Sequence, residues 1–143
     1  MEIFAQFVGN DGHVHSFEPN PRSRLLLSSA VALNGLALGG GLEVALGCHL
    51  RLAAPDTRLG LPEVTLGIVP GAGGTQRLPR LIGIEAALDV IVKGRLQPAD
   101  KAATLGFIDE IVNGDLIAKA VARARELAAN DTPLRRASAL DDR

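Results

Sequence analysis

The chain contains no tryptophan and no tyrosine, and phenylalanine occurs only four times. Nucleic-acid bases stack on aromatic side chains, so this mode of binding has little support here. A single cysteine, Cys48, excludes an internal disulfide and permits a reducing compartment. The net charge is -1, with both signs spread along the chain, so there is neither a basic stripe nor an acidic tail. We therefore expect no nucleic-acid partner.

An uninterrupted apolar run of membrane length is also missing. Residues 25–41 are uncharged and follow two arginines, as in a targeting segment, but serines, an asparagine and several glycines interrupt them. A membrane helix needs about 20 mainly apolar residues. We expect no membrane partner and a cytoplasmic location. With 143 residues, 47% of them hydrophobic, the chain has the size of one ordinary domain.

Hydrophobic periodicity and turn residues predict an α/β protein. The predicted loop at the start covers residues 1–24, which are dense in turn formers. A glycine-rich loop leads into a short helical segment over residues 66–83. Strands are predicted at residues 25–33, 50–54 and 107–112. The predicted helices cover residues 41–49, residues 84–93 with a stop at Gly94, residues 97–105 between Pro98 and Gly106, and residues 115–130.

Three consecutive glycines, residues 39–41, stand directly before a predicted helix. Each glycine in a regular element costs roughly 0.5 to 1 kcal/mol relative to alanine. One explanation is a tight strand-to-helix turn. The other is that a ligand touches the bare backbone, because the N–H groups of a helix start stabilise an anion or a developing oxyanion. A nucleotide is excluded as that ligand: there is no G-x-x-x-x-G-K-[ST], and Val44 replaces the third glycine of the dinucleotide motif.

Two glutamates accompany the glycines. Glu43 lies in the first turn of the predicted helix, and Glu63 follows twenty positions later. Either one alone is explained as a favourable charge at a helix start. Two carboxyl groups sharing a pocket can divide the roles of proton donor and acceptor. Together with an anion-binding backbone they are the equipment for adding water to a double bond beside a carbonyl.

Other candidate sites are weaker. His13 and His15 form an H-x-H pair, and Cys48 precedes His49, but a third ligand at a suitable spacing is missing, so we expect no metal. Arg77 and Arg80 are either surface charges or partners of an acidic ligand or a neighbouring subunit.

The stretch NGLALGGGLEVALGCHLRLAAPDTRLGLPEVTLGIVPGAGGTQRLPRLIG resembles the crotonase (enoyl-CoA hydratase/isomerase) superfamily. Three coupled motifs carry the resemblance: G-G-G-x-E, P-E-V-x-L-G and P-G-x-G-G-T-Q-R-L. The amino-acid sequence of these motifs is most similar to the hydratase part of multifunctional fatty-acid oxidation enzymes. The resemblance implies a spiral of ββα units, an acyl-CoA substrate and no metal or redox cofactor.

The resemblance also implies roles for particular residues. Gly40 would supply an oxyanion N–H, and Glu43 and Glu63 would be the catalytic acids. Since many family isomerases keep only the second acid, the pair favours a hydratase. Residues implied to line the substrate site are Leu38, Gly39, Gly41, Pro70 and Gly71.

The match covers only part of such a domain, which we expect at residues 25–130, with a tail at 131–143. Residues 1–24 do not resemble the family, and its usual A-x-x-x-G-x-D pattern is missing. We therefore expect a domain incomplete at both ends, in a homo-oligomer or a larger multifunctional chain. Alone it should hydrate enoyl-CoA poorly or not at all, since a second oxyanion donor is expected elsewhere. The alternatives are a silent fragment acting as an interaction module, or an isomerase.

Overall fold

The computed structural model describes residues 4–8, 14–16 and 29–129, together with residues 137 and 140. Its strands are β1 (Phe4–Val8), β2 (Val14–Ser16), β3 (Ser29–Leu33), β4 (Leu36–Leu38), β5 (Leu50–Ala53), β6 (Arg58–Gly60), β7 (Gln97–Pro98) and β8 (Glu110–Ile111). Its α-helices are α1 (Gly40–Leu46), α2 (Gly74–Ile82), α3 (Ile84–Lys93), α4 (Ala99–Leu105) and α5 (Leu116–Ala129), and Pro62–Leu66 form a 3-10 helix.

The strands form two sheets, and strands β3 to β6 alternate between them. One sheet has the order β2-β1-β3-β5-β8 and the other the order β4-β6-β7. Strand β3 therefore lies in the first sheet and β4 in the second before the chain enters α1, and β5 and β6 repeat the step. The repeats stack in parallel, since β3 pairs with β5 and β4 pairs with β6. This is a ββα spiral, and the predicted α/β class is confirmed.

Strand β3 separates two hydrophobic cores. Side chains alternate across a strand, so Val31 and Leu33 face one core while Ala30 and Ala32 face the other. The larger core lies among the two sheets and helices α1 to α4. The smaller core packs beneath α5 through three small or medium side chains at helical spacing, Leu116, Ala120 and Ala124. The helix predicted at 115–130 is therefore present as α5 and buries one face.

A buried ion pair joins β5 to the segment before β8. Arg51 is 1% exposed, and its Nη2 lies 2.8 Å from Oδ2 of Asp109. The same carboxylate oxygen accepts a bond from the Arg51 backbone N–H at 2.8 Å, and Asp109 N–H donates to the Arg51 carbonyl at 2.9 Å. Arg51 Nη1 also donates to the Cys48 carbonyl at 2.7 Å. The pair therefore fixes the two chain segments at both side-chain and backbone level.

Helix ends agree with the prediction where glycine marks them. Helix α3 ends at Gly94 and α4 at Gly106, and both glycines adopt the left-handed conformation. The helix predicted at 41–49 starts one residue earlier than expected and ends three residues earlier, because α1 runs from Gly40 to Leu46. The bond from Gly47 N–H to the Val44 carbonyl closes its last turn. The strand predicted at 107–112 is reduced to β8.

The loop predicted for residues 1–24 is wrong at β1 and β2. Strand β1 pairs in parallel with β3 over its whole length and antiparallel with β2. The pairing with β3 is long-range, so turn-forming composition gives no sign of it. The first part of the strand predicted at 25–33, and most of the predicted tail, lie outside the described residues. Within the ranges described, no helix is both long and apolar enough to cross a bilayer.

Candidate active site

The glycine run lies where β4 passes into α1. Gly39 has φ 52°, a left-handed conformation that favours glycine, and its N–H donates to the Gly60 carbonyl at 3.0 Å. Gly40 is the first residue of the helix and is exposed, and a Cβ placed on it would meet no atom within 4 Å. The first N–H groups of a helix have no partner inside it. Gly40 therefore has a backbone N–H without a partner inside the helix, at an exposed position.

Glu43 is held by the backbone of a distant loop. Its side chain is buried, with the residue 3% exposed, and Oε1 accepts bonds from Ala72 N–H at 2.8 Å and Gly74 N–H at 2.7 Å. Gly74 begins α2, so the carboxylate lies at the start of that helix. A Cβ on Gly74 would lie 3.0 Å from Glu43 Oε1 and from Leu61 and Pro70 atoms. A side chain at position 74 would therefore crowd the carboxylate oxygen and its neighbours.

Glu63 approaches the same glycine run from the 3-10 helix. Its Oε1 lies 3.2 Å from the point where a Cβ on Gly39 would stand. Its Oε2 is buried and has no hydrogen-bond partner among the residues that the structure describes. Glu43 is carried by the helix that Gly39 caps. The structure thus places the Glu63 carboxylate beside the glycine that caps the helix carrying Glu43, with one buried Glu63 oxygen unbonded among the described residues.

The other residues predicted to line the substrate site differ in how exposed they are. Leu38 is half-buried and pairs with Gly60 at the end of β4, and Gly41 is half-buried in α1. Pro70 is buried against Gly74, whereas Gly71 is exposed, and a Cβ added to it would meet no atom within 4 Å. Four exposed apolar side chains follow Glu63 along the chain: Val64, Leu66, Ile68 and Val69. Leu66 and Val69 are 78% and 71% exposed.

Sequence reasoning missed the donors to Glu43. Backbone N–H groups leave no residue-type signal, although the glycine at position 74 is visible as part of the G-G-T-Q-R motif.

The two arginines whose role the sequence leaves open both bond within the chain: Arg77 Nη1 donates to the Ala72 carbonyl and Arg80 Nη1 to the Gln76 carbonyl, each at 2.7 Å. Among the described residues, no three His, Cys, Asp or Glu side chains are grouped to hold a metal ion.

The ββα spiral, with a glycine-rich helix start and two carboxylates near it, agrees with the resemblance to the crotonase superfamily. The family model described as "Enoyl-CoA hydratase/isomerase" matches residues 25–139. The chain belongs to the enoyl-CoA hydratase/isomerase family. The resemblance first seen in the motifs is thereby confirmed.

Curated relatives point to multifunctional enzymes. The human peroxisomal bifunctional enzyme is 53% identical over 103 residues, which are 72% of this chain and 14% of the relative. The Arabidopsis thaliana peroxisomal fatty acid beta-oxidation multifunctional protein MFP2 is 54% identical over 84 residues, 59% of this chain and 12% of the relative. The chain thus spans only a small part of the length of these relatives.

Solved structures agree on the fold. An enoyl-CoA hydratase from Bacillus anthracis is 46% identical, with a TM-score of 0.70 over 75% of this chain and 42% of that one. An enoyl-CoA hydratase from Geobacillus kaustophilus is 45% identical, with a TM-score of 0.66 over 71% and 40%. The predicted crotonase fold is confirmed, for a part of the domain found in those structures.

Proposed function

We propose that this site adds water to the double bond of a 2-enoyl-CoA thioester and so forms a 3-hydroxyacyl-CoA. The observation that carries the proposal is the arrangement of the two carboxylates around the glycine run. One is fixed by two backbone donors, and the other keeps a buried oxygen without a partner among the described residues. A buried polar oxygen of this kind favours a bound polar ligand, because leaving it unpaired costs free energy.

The proposed chemistry divides the work among three groups. Gly40 N–H donates to the thioester oxygen, on which negative charge develops as the enolate forms. Glu43 and Glu63 hold the water between them; one takes its proton as the hydroxyl group bonds to the β-carbon, and the other delivers a proton to the α-carbon. The bonds to Ala72 and Gly74 keep Oε1 of Glu43 in place and leave its second oxygen for the water. The proposed reaction uses no metal or redox cofactor.

The acyl-CoA substrate suits the surface beside Glu63. The exposed apolar side chains of the segment from Val64 to Val69 offer a hydrophobic surface for an acyl chain next to the carboxylate. Several relatives are named as fatty acid beta-oxidation multifunctional proteins, which supports a fatty-acyl substrate. The same relatives are named peroxisomal or glyoxysomal, so the cytoplasmic location expected from the sequence stays a prediction. The homo-oligomer and the domain limits of 25–130 also stay predictions.

The proposal is tested with crotonyl-CoA and the full chain, by following the loss of the conjugated thioester absorbance. The negative control is the same chain with both Glu43→Gln and Glu63→Gln. We expect slow hydration by the parent and only the uncatalysed rate with the double variant. Equal rates for the parent and the double variant would overturn the proposal. The alternative of a catalytically silent fragment that acts as an interaction module would then remain. Conversion of a 3-enoyl-CoA to the conjugated thioester without hydration would indicate the isomerase instead.

Gly40→Pro tests the oxyanion donor. Proline removes the N–H but is well accepted at the first position of a helix, and the space beside Gly40 is open. Loss of one oxyanion donor is expected to lower hydration by about 10²- to 10³-fold. Gly40→Ala, which keeps the N–H, is the control and should stay near the parental rate. Parental turnover in a folded Gly40→Pro chain would make the glycine run a packing turn only.

A further inference from the structure

Arg77 folds back from α2 over the loop that binds Glu43. Its Nη1 donates to the Ala72 carbonyl at 2.7 Å, and its backbone N–H donates to the Gly73 carbonyl at 2.8 Å. Gly73 has φ 104°, and a Cβ there would collide with Nη1 of Arg77. The guanidinium also reaches the end of α1, where its Nε and Cζ lie 3.9 Å from a Cβ position on Gly47. Arg77 therefore bonds to the loop that holds Glu43 and lies close to the end of the helix that carries it.

The two carbonyls that Arg77 binds belong to consecutive peptide planes. The first plane contains the Ala72 carbonyl, and the second contains the Gly73 carbonyl together with Gly74 N–H. Since a peptide unit is rigid, holding its oxygen also fixes the direction of its N–H. The loop is rich in glycine and would otherwise sample many conformations. Only the guanidinium bond depends on arginine, because the bond from the Arg77 backbone N–H to the Gly73 carbonyl is an ordinary bond of helix α2. The guanidinium holds the Ala72 carbonyl, whose peptide plane lies between the planes of the two donors, Ala72 N–H and Gly74 N–H. It thereby restricts the loop that presents both donors to Glu43 Oε1.

We propose that Arg77 is a positioning residue for Glu43. It fixes the loop at Ala72–Gly74 so that both N–H groups converge on one carboxylate oxygen, which leaves the other oxygen aimed at the water. The catalytic part of this inference rests on the proposed hydration. The contact itself does not, so the two can fail separately.

The first experiment measures the Ala72 and Gly74 amide protons directly, by hydrogen exchange and chemical shift in the isotope-labelled full chain. In Arg77→Ala both amides should exchange about tenfold faster, the size expected when a charged hydrogen bond is weakened. The amides of Gly83 and Gly94, which are bonded in helix ends elsewhere, should not change. Arg77→Lys keeps the positive charge but lacks the planar guanidinium with its several N–H donors, so intermediate exchange rates are expected. The matched control is Arg80→Ala, since Arg80 lies on the same helix and its Nη1 bonds to Gln76.

The second experiment compares crotonyl-CoA hydration by the same variants. Arg77→Ala should lower kcat about tenfold with little change in KM, because Glu43 acts on the water and not on coenzyme A. Unchanged exchange of Ala72 and Gly74 in Arg77→Ala would overturn the inference whatever the activity. Faster exchange with an unchanged kcat would also overturn it, since Arg77 would then order the loop without serving Glu43. A parent chain without glutamate-dependent hydration contradicts the proposed function, while the exchange data still decide the contact.

Discussion

Glu43→Gln and Glu63→Gln are each expected to lower crotonyl-CoA hydration by about 10²- to 10⁴-fold, or to the uncatalysed rate if that is reached first. Glutamine keeps the shape of the side chain but cannot exchange a proton with water or with the α-carbon. At Glu43 the amide oxygen still accepts the bonds from Ala72 and Gly74, so the loop is preserved. The loss therefore reports proton transfer rather than folding.

The control for these variants is Glu85→Gln. Glu85 is exposed in the first turn of α3 and takes no part in the site, so its substitution should leave hydration unchanged. Circular dichroism and thermal melting check that each variant is folded. Near-parental turnover in both single variants would refute the assignment of two catalytic carboxylates. Loss in only one of them would point to an isomerase-like site with a single acid.

Asp109→Ala is expected to destabilise the protein by about 3–5 kcal/mol. The substitution leaves the guanidinium of Arg51 buried without its carboxylate, and it removes the acceptor of the Arg51 backbone N–H. A buried charge without a partner is costly because it has lost its hydration. Urea denaturation monitored by circular dichroism gives the change in the free energy of unfolding.

Asp89→Ala is the comparison for this measurement. Asp89 pairs with Lys93 on the exposed side of α3, and an exposed pair contributes about 0–1 kcal/mol. Arg51→Met combined with Asp109→Ala should recover part of the stability, because no charge then remains buried at this position. If Asp109→Ala unfolds no more easily than Asp89→Ala, the ion pair does not hold β5 to the segment before β8.

Local signals explain which parts of the fold are predictable. The ends of α3 and α4 are found because Gly94 and Gly106 mark them within the sequence itself. Strands β4 and β7 have three and two residues, too few for a period to show. They exist because they pair with β6. The pairing of β1 with β3 likewise depends on a partner more than twenty residues away.

The features of the site likewise separate into those that the sequence predicts and those that depend on distant parts of the chain. Gly39, Glu43 and Glu63 are visible because residue type and spacing carry their chemistry. The bonds that fix Glu43 come from backbone groups 29 and 31 positions later, which any residue except proline possesses. Arg51 goes unrecognised for a related reason: an arginine in a strand is normally interpreted as solvent-facing, and its buried position depends on Asp109, 58 positions away.

The alternation of β3 restricts how the length of this chain can change. Removing or adding one residue within Ser29–Leu33 would turn every later side chain of the strand to the opposite face. Val31 and Leu33 would then meet the small alanines of α5, while Ala30 and Ala32 would leave voids in the other core. A single codon insertion or deletion there damages two cores at once. Changes of length are therefore better tolerated in the connections between strands, where no alternation of side chains between two cores has to be kept.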